Sequence, residues 1–195
     1  MVVYRVIYYL PSIIPVVGSS VLWVWILNPR LGLLNLVLKL LGLPTQSWLG
    51  NPDLAKPSLI LMSLWGIGGG MVIYLAGLQD VPVHLYEAAT INGAGGWAKW
   101  RHITIPMMTP TIFYNLLMGI VGSFQVFTSA FIMTGGGPLK ATYFYMLNLY
   151  HNAFRFFRMG YASALAWFLF VILMLLTLVV FSSSGRWVYY MGGVD

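Results

Sequence analysis

The chain has 195 residues, 59% apolar and 7% charged, with ten Lys and Arg against four Asp and Glu, a net charge of +6 and no Cys. Soluble domains are about 25% charged, so this charge complement excludes an ordinary soluble globule, and the high apolar content excludes intrinsic disorder. The lack of Cys excludes a disulfide scaffold or thiolate site, and singly scattered basic residues make no nucleic-acid-binding patch, which leaves an integral membrane protein.

A membrane-crossing helix needs about 20 mostly apolar residues. The first uncharged window runs from Val6 to Pro29 and predicts a span at about 6–28. Tyr8, Tyr9, Trp23 and Trp25 bracket it as interfacial anchors. Pro11 and Pro15 inside it are tolerable where neighbouring helices satisfy the freed backbone groups. The window is too long, and lacks the small-residue cleavage site, for a signal peptide. In the 28–57 connection, Leu33 to Leu43 with its one Lys39 reads as a segment lying flat at the interface. The second window, Pro57 to Gln79, predicts a span at about 58–79. Its Gly66 and Gly70 form a small-xxx-small pair, read as tight helix packing or as a hinge.

Asp80 to Pro110 is the informative stretch. Asp80 and Pro82 are helix-start residues. A short helix is expected over Val83 to Ile91, with His84, Glu87, Ala88 and Ile91 sharing one face. Asn92 and Gly93 then supply a left-handed turn. A second short helix is expected from Trp97 to Ile103, gathering Trp97, Trp100 and Ile103. Pro106 and Pro110 are read as restarting the chain into the third span. The loop at 80–106 is thus a compact helix–turn–helix knob outside the bilayer.

His102 to Leu139 is uncharged for 38 positions and predicts a third span at about 107–134. On an unbroken helix, Asn115, Gly119, Gly122, Ser123, Gln125 and Ser129 fall within a sector of about 160°. Such a face meets other helices through hydrogen bonds or lines a water-filled path for a polar solute. Gly135, Gly136, Gly137 and Pro138 form a turn with no Lys-Ser/Thr after it, so a phosphate cradle is not expected. The fourth window, Met159 to Gly185, predicts a span at about 159–182. Its 13 Leu, Ile, Val and Phe between Leu165 and Phe181 favour insertion by about 4–8 kcal/mol at most. Trp187, Tyr189 and Tyr190 anchor its end. His84, His102 and His151 are too dispersed for a metal site. With Glu87 the only Glu, no paired carboxylate or Ser-His-Asp set emerges. The expected fold class is therefore an all-α polytopic transmembrane helix bundle, a single domain over 1–195, with no catalytic and no metal residues.

The run Glu87-Ala88-Ala89-Thr90-Ile91-Asn92-Gly93-Ala94, followed by Ile103-Thr104-Ile105-Pro106, resembles the EAA loop of permease subunits from binding-protein-dependent ABC importers. The runs 75–82, 133–138, 153–166 and 186–193 resemble the carbohydrate branch, the MalF-like permeases, and the likeness covers essentially the whole chain. Asn92 stands where that family usually has Asp, and Ile105 where it usually has Leu. The family also usually carries further spans ahead of the region matched, so the resemblance implies an N-terminally incomplete permease.

The resemblance implies that this loop couples to a separate ATPase. Ala88 and Ala89 let the helix sit close, Glu87 pairs with a basic group, and Trp97 and Trp100 fill an apolar pocket. Gly93 holds the turn that orients both arms. Ile103 and Pro106 complete the implied coupling set, and Asn115, Gly119, Ser123, Gln125 and Ser129 become the candidate substrate path. The implied function is import of a sugar or oligosaccharide delivered by an extracytoplasmic binding protein. The implied assembly adds a second permease (a heterodimer) and two cytoplasmic ATPases, in the plasma membrane of a bacterium or archaeon. The chain itself takes no cofactor, ATP being bound by the partner ATPase, and it binds no nucleic acid. The alternative is a non-transporting truncated remnant or assembly partner of such a permease. A passive channel is disfavoured because charged pore rings are missing.

With the loop and both termini cytoplasmic, Arg5, Lys99, Arg101 and Arg186 lie inside. Arg30, Lys39, Lys56, Lys140, Arg155 and Arg158 then lie outside, against the positive-inside tendency.

Overall fold

The computed structural model describes residues 2–189, and most of those residues are helical, with no strand among them. Tyr190 and the rest of the 186–193 run beyond Tyr189 lie outside the described residues. The helices are α1 (Val2–Ile13), α2 (Val16–Ile26), α3 (Leu33–Leu40), α4 (Pro52–Trp65), α5 (Gly68–Gln79), α6 (Val83–Ile91), α7 (Gly96–Lys99), α8 (Ile105–Phe124), α9 (Thr128–Met133), α10 (Tyr145–Tyr150) and α11 (Met159–Ser184), with π-helical turns at Trp100–Thr104 and His151–Arg155. Two compact units emerge, one from 1–68 with 122–168 and the other from 69–121 with 169–195.

Gly96–Met133 and Met159–Ser184 are long and apolar enough to cross a membrane, and counting each bent helix pair as one span gives four among the described residues. At 1.5 Å per residue the 26 residues of α11 reach about 39 Å, beyond the roughly 30 Å hydrocarbon core. Trp167 is 68% exposed and Val179 65% exposed, an apolar surface that water would penalise and lipid would not.

The spans are less straight than expected. The window at 6–28 holds α1 and α2, bent by 98° at Ile14 and Pro15. Pro15 has no N–H to donate and pushes the residue before it out of the helical region. Pro11 stays inside α1. The window at 58–79 holds α4 and α5, bent by 45°, and its first helix starts earlier than expected. The Asn51 side chain caps it, accepting from the Asp53 N–H at 2.9 Å, and Pro52 occupies the first position. Because Gly66 caps α4, Gly66 and Gly70 lie on different helices, and a Cβ on Gly70 would meet nothing. Gly68 is the close contact instead, since a Cβ there would strike the Tyr8 carbonyl.

The third span also departs from one unbroken helix. Its hydrogen bonding stops at Phe124 and resumes at Thr128, where Gln125 N–H turns to Gly122 O at 3.1 Å. The two glycines at 119 and 122 weaken the helix just before this point. A single 100° wheel therefore covers Asn115, Gly119, Gly122 and Ser123 but does not carry through to Gln125 and Ser129.

Within the first unit, Leu27, Leu59, Met62, Ala130, Met133 and Leu147 form a buried cluster, flanked by Trp23, Val24, Trp48 and Phe127. Asn35 of α3, 1% exposed, ties the preceding and following loops together. Its amide nitrogen donates to Pro29 O at 3.1 Å and Gln46 O at 2.8 Å. Its oxygen accepts from the Gln46 N–H and Trp48 Nε1, each at 3.0 Å. The α3 helix ends at Leu40, and Gly42 follows in the left-handed region at φ +72°. In the second unit, Phe113 of α8 packs edge-on against Phe181 and Trp187, and the Tyr189 N–H donates to Thr109 Oγ1 at 2.8 Å.

Candidate functional site

The helix expected over Val83 to Ile91 is α6, with those bounds. Pro82 precedes it in extended geometry, and its end is a Schellman motif. Gly93 has φ +75°, Ala94 N–H donates to Ala89 O at 2.9 Å, and Gly93 N–H donates to Thr90 O at 3.0 Å. Asn92 stays right-handed, and its amide donates to Ala88 O at 2.8 Å. Only Gly93 of the expected Asn-Gly pair enters the left-handed region.

The second arm is built differently from the short helix expected at 97–103. α7 passes into the π-helical turn, and this runs on into α8 without a break. Pro106 and Pro110 therefore lie inside a continuing helix and do not restart one. The wide turn explains this: Ile105 N–H reaches back five residues to Trp100 O. That i→i+5 register precedes Pro106, whose ring and missing N–H would disturb a tight turn.

Hydrogen bonds hold the two arms together. Tyr86 Oη and Thr104 Oγ1 lie 2.8 Å apart. Lys99 Nζ donates to Thr90 Oγ1 at 2.7 Å, while that hydroxyl donates to Tyr86 O at 2.6 Å. Tyr86, Thr90, Lys99 and Thr104 were not among the expected site residues. The i, i+4 spacing of Tyr86 and Thr90 is the only local trace of this lock. Removing its phenolic hydroxyl should be mild: Tyr86→Phe should cost the loop about 0.5–1.5 kcal/mol of local stability. Faster amide hydrogen exchange over 83–104, with other helices unchanged, is the expected readout.

None of the residues of α6, α7 or the π-helical turn is buried. His84, Glu87, Ala88 and Ile91 are all exposed and Ala89 is half-buried, with Ile91 at 87% exposure. Trp97 and Trp100 stack on each other, centroids 4.7 Å apart and planes at 28°, while Trp97 remains 70% exposed. Ile103 and Pro106 line a separate cavity of about 260 Å³ with Leu85, His102, Met107 and Tyr189. His102 Nδ1 lies 3.0 Å from Ala98 O. Among the described residues no group of three or more His, Cys, Asp or Glu comes together to hold a metal.

Of the polar set in the third span, Asn115 donates to Thr111 O of its own helix at 2.9 Å. Gly119 and Ser123 are exposed on α8, Gln125 is exposed in the interruption, and Ser129 is half-buried on α9. The Gly135–Gly137 turn is held by hydroxyls. Thr134 and Thr142 Oγ1 atoms lie 2.6 Å apart, and Thr142 donates to Gly137 O at 2.8 Å. Nearby, the Tyr145 hydroxyl donates to Leu165 O at 2.7 Å. Burial, then the neighbouring Tyr161, pushes that phenol above its ordinary value.

Compared with known proteins, residues 1–189 match the family described as binding-protein-dependent transport system inner membrane component. The chain belongs to that family. It is 42% identical over 192 residues to the probable ABC transporter permease protein YesP of Bacillus subtilis, covering 96% of this chain and 62% of YesP. It is 33% identical to the trehalose/maltose transport system permease protein MalF of Thermococcus litoralis, covering 94% of this chain and 62% of MalF. The fold superposes with a TM-score of 0.86 and 26% identity on a chain of a bacterial alginate ABC transporter solved in complex with an alginate pentasaccharide-bound periplasmic protein, covering 94% of this chain and 65% of that one. The chain thus spans a little under two thirds of the length of these similar proteins. The family is a membrane component of transport systems, and no catalytic role attaches to it.

Proposed function

We propose that the chain is a permease subunit of an ATP-driven ABC importer, carrying a sugar or oligosaccharide across the cytoplasmic membrane of a bacterium or archaeon. Its spans form one transmembrane domain crossed several times, with both termini and the 80–106 loop cytoplasmic. The partners in this reading are a second permease, two cytoplasmic ATPases and an extracytoplasmic solute-binding protein. ATP is held by the ATPases, so this chain needs no cofactor. Asn115, Gly119, Ser123, Gln125 and Ser129 are the candidate groups along the solute path, where hydroxyls and amides match sugar hydroxyls.

The observation that carries this reading is the helix–turn–helix at 83–104, internally locked by side chains yet with no buried residue. Such an object keeps its shape while offering Glu87, Ala88, Ile91 and the Trp97–Trp100 stack to another protein. Small residues let a facing surface approach, aromatic rings supply anchors, and the lone carboxylate selects a basic partner. ATP-driven closure of the ATPases would pull on this rigid knob, and the continuous helix from α7 into α8 would transmit the pull to the span.

Reversing the charge tests it. Glu87→Lys should reduce co-purification with the co-encoded ATPase about ten-fold or more, as loss of a charge-assisted contact implies. The amount of chain in the membrane should stay as in the wild type. Undiminished ATPase capture would remove Glu87 from the coupling surface.

A further inference from the structure

A second concavity lies away from the coupling loop in sequence, within the first unit. It has a volume of about 610 Å³, and Lys140, Tyr143, Asn148, Asn152, Arg155 and Arg158 line it together with the Gly135–Gly137 turn. That volume falls in the range of pockets that hold a small sugar. All three cationic side chains are exposed. Among the described residues no carboxylate lines the cavity, so the positive charges there face one space without a neutralising acid.

The backbone here is shaped at a cost. Leu139, Lys140 and Phe157 have φ of 48°, 62° and 55°, where bulky residues rarely sit. The π-helical turn His151–Arg155 ends on one flank, and Arg158 N–H folds back to Asn152 O at 2.8 Å. Strained positions and π-helical turns gather at ligand-holding sites. Here they set Lys140 on one wall and place Arg155 and Arg158 either side of Phe157. Buried support is present as well: His151, 7% exposed, lies with Nδ1 3.1 Å from Tyr143 Oη, and Asn152 donates to Asn148 Oδ1 at 2.9 Å.

We infer that this pocket binds an acidic saccharide, its carboxylate held by Arg155, Arg158 and Lys140 and its hydroxyls met by Asn148 Nδ2 as donor, Asn152 Oδ1 as acceptor and the Tyr143 phenol. Guanidinium groups hold a planar carboxylate through paired, charge-assisted hydrogen bonds. A single protein carboxylate would use the cations but leave the amide-lined volume empty, which favours a sugar as the occupant. The inference deepens the importer reading and rests on it for placing the loop between the third and fourth spans outside the cytoplasm. It also gives a use to three of the six basic residues that oppose the positive-inside tendency.

The test is calorimetric binding to the full chain in lipid nanodiscs, with cellobiouronate as acid probe and cellobiose as its neutral match. The wild type should prefer the acid about ten-fold or more. The double variant Arg155→Gln with Arg158→Gln should lose about that factor for the acid and keep its affinity for cellobiose. Arg155→Lys with Arg158→Lys should keep part of the preference, which a merely misfolded pocket would not do. Equal binding of both sugars by the wild type, or acid binding unaltered in the Gln variant, overturns the proposal. So does a Gln variant that loses capture of the sugar-free binding protein while sugar binding is intact, because the cations would then serve a protein carboxylate. ATPase capture through Glu87 is read separately, so failure of the pocket and failure of the importer reading are distinguishable.

Discussion

Gly93→Val should leave the chain in the membrane at wild-type levels and cut ATP-driven uptake by the proposed importer about ten-fold or more. Gly93 sits at φ +75°, and a Cβ there would meet nothing within 4 Å. The effect is therefore conformational and not steric crowding by a neighbour. An L-residue in the left-handed region costs roughly 1–2 kcal/mol, and a β-branched one is a stronger outlier. No buried residue in the loop opposes relaxation, so the turn should leave its Schellman geometry and move Trp97 and Trp100 relative to Glu87. Gly93→Asn should retain most activity, since Asn tolerates this conformation. Uptake into proteoliposomes, scored against the chain present in the membrane, measures both. Full uptake by the Val variant would separate the turn from coupling.

Asn35→Leu should unfold the loop around α3 and lower overall stability by about 3 kcal/mol or more, while the proposed ATPase capture through the 83–104 loop stays intact. Asn35 satisfies two carbonyls and two N–H groups at once, which fills its hydrogen-bonding capacity. Leucine matches its bulk but orphans those partners, and each buried unsatisfied group costs about 1–3 kcal/mol. Asn35→Asp should be no better. It keeps an acceptor for Gln46 and Trp48 but turns a second acceptor, carrying charge, towards the Pro29 and Gln46 carbonyls. Thermal unfolding in detergent and the rate of proteolysis between 28 and 51 are the readouts. A midpoint equal to wild type would show that the Asn35 bonds contribute little.

Features set by near neighbours along the chain were legible beforehand. The α6 helix came from its Pro82 start, its helical spacing and Gly93 at its end. α11 came from an uninterrupted apolar run. Glu87, Ala88, Ala89 and Gly93 were legible as a motif, and their capped helical arrangement follows from bonds spanning five residues or fewer. The lock between the arms was harder to see. Tyr86 and Thr104 are 18 apart, and either would serve equally well as an ordinary helix residue. The prolines differ in effect in a way their sequence positions do not reveal. Pro15 bends its window sharply, whereas Pro106 does nothing of the kind because a π-helical turn precedes it, and no local pattern announces that turn. Arg155 and Arg158 were visible within the 153–166 run and as charges on an unexpected side, but not as two walls of one concavity.

By itself the sequence determined that this chain enters a membrane, where its apolar windows lie, and that a capped helix–turn–helix stands between the second and third. Hydropathy, proline and glycine act locally, through solvent and through a residue's own backbone angles. Tertiary structure alone decided that Asn35 is a buried joint and that Gly68 and not Gly70 is the close contact. It also decided that three cations share one concavity with two amides. Those outcomes depend on which distant segments meet, and a residue's own neighbours carry no record of that.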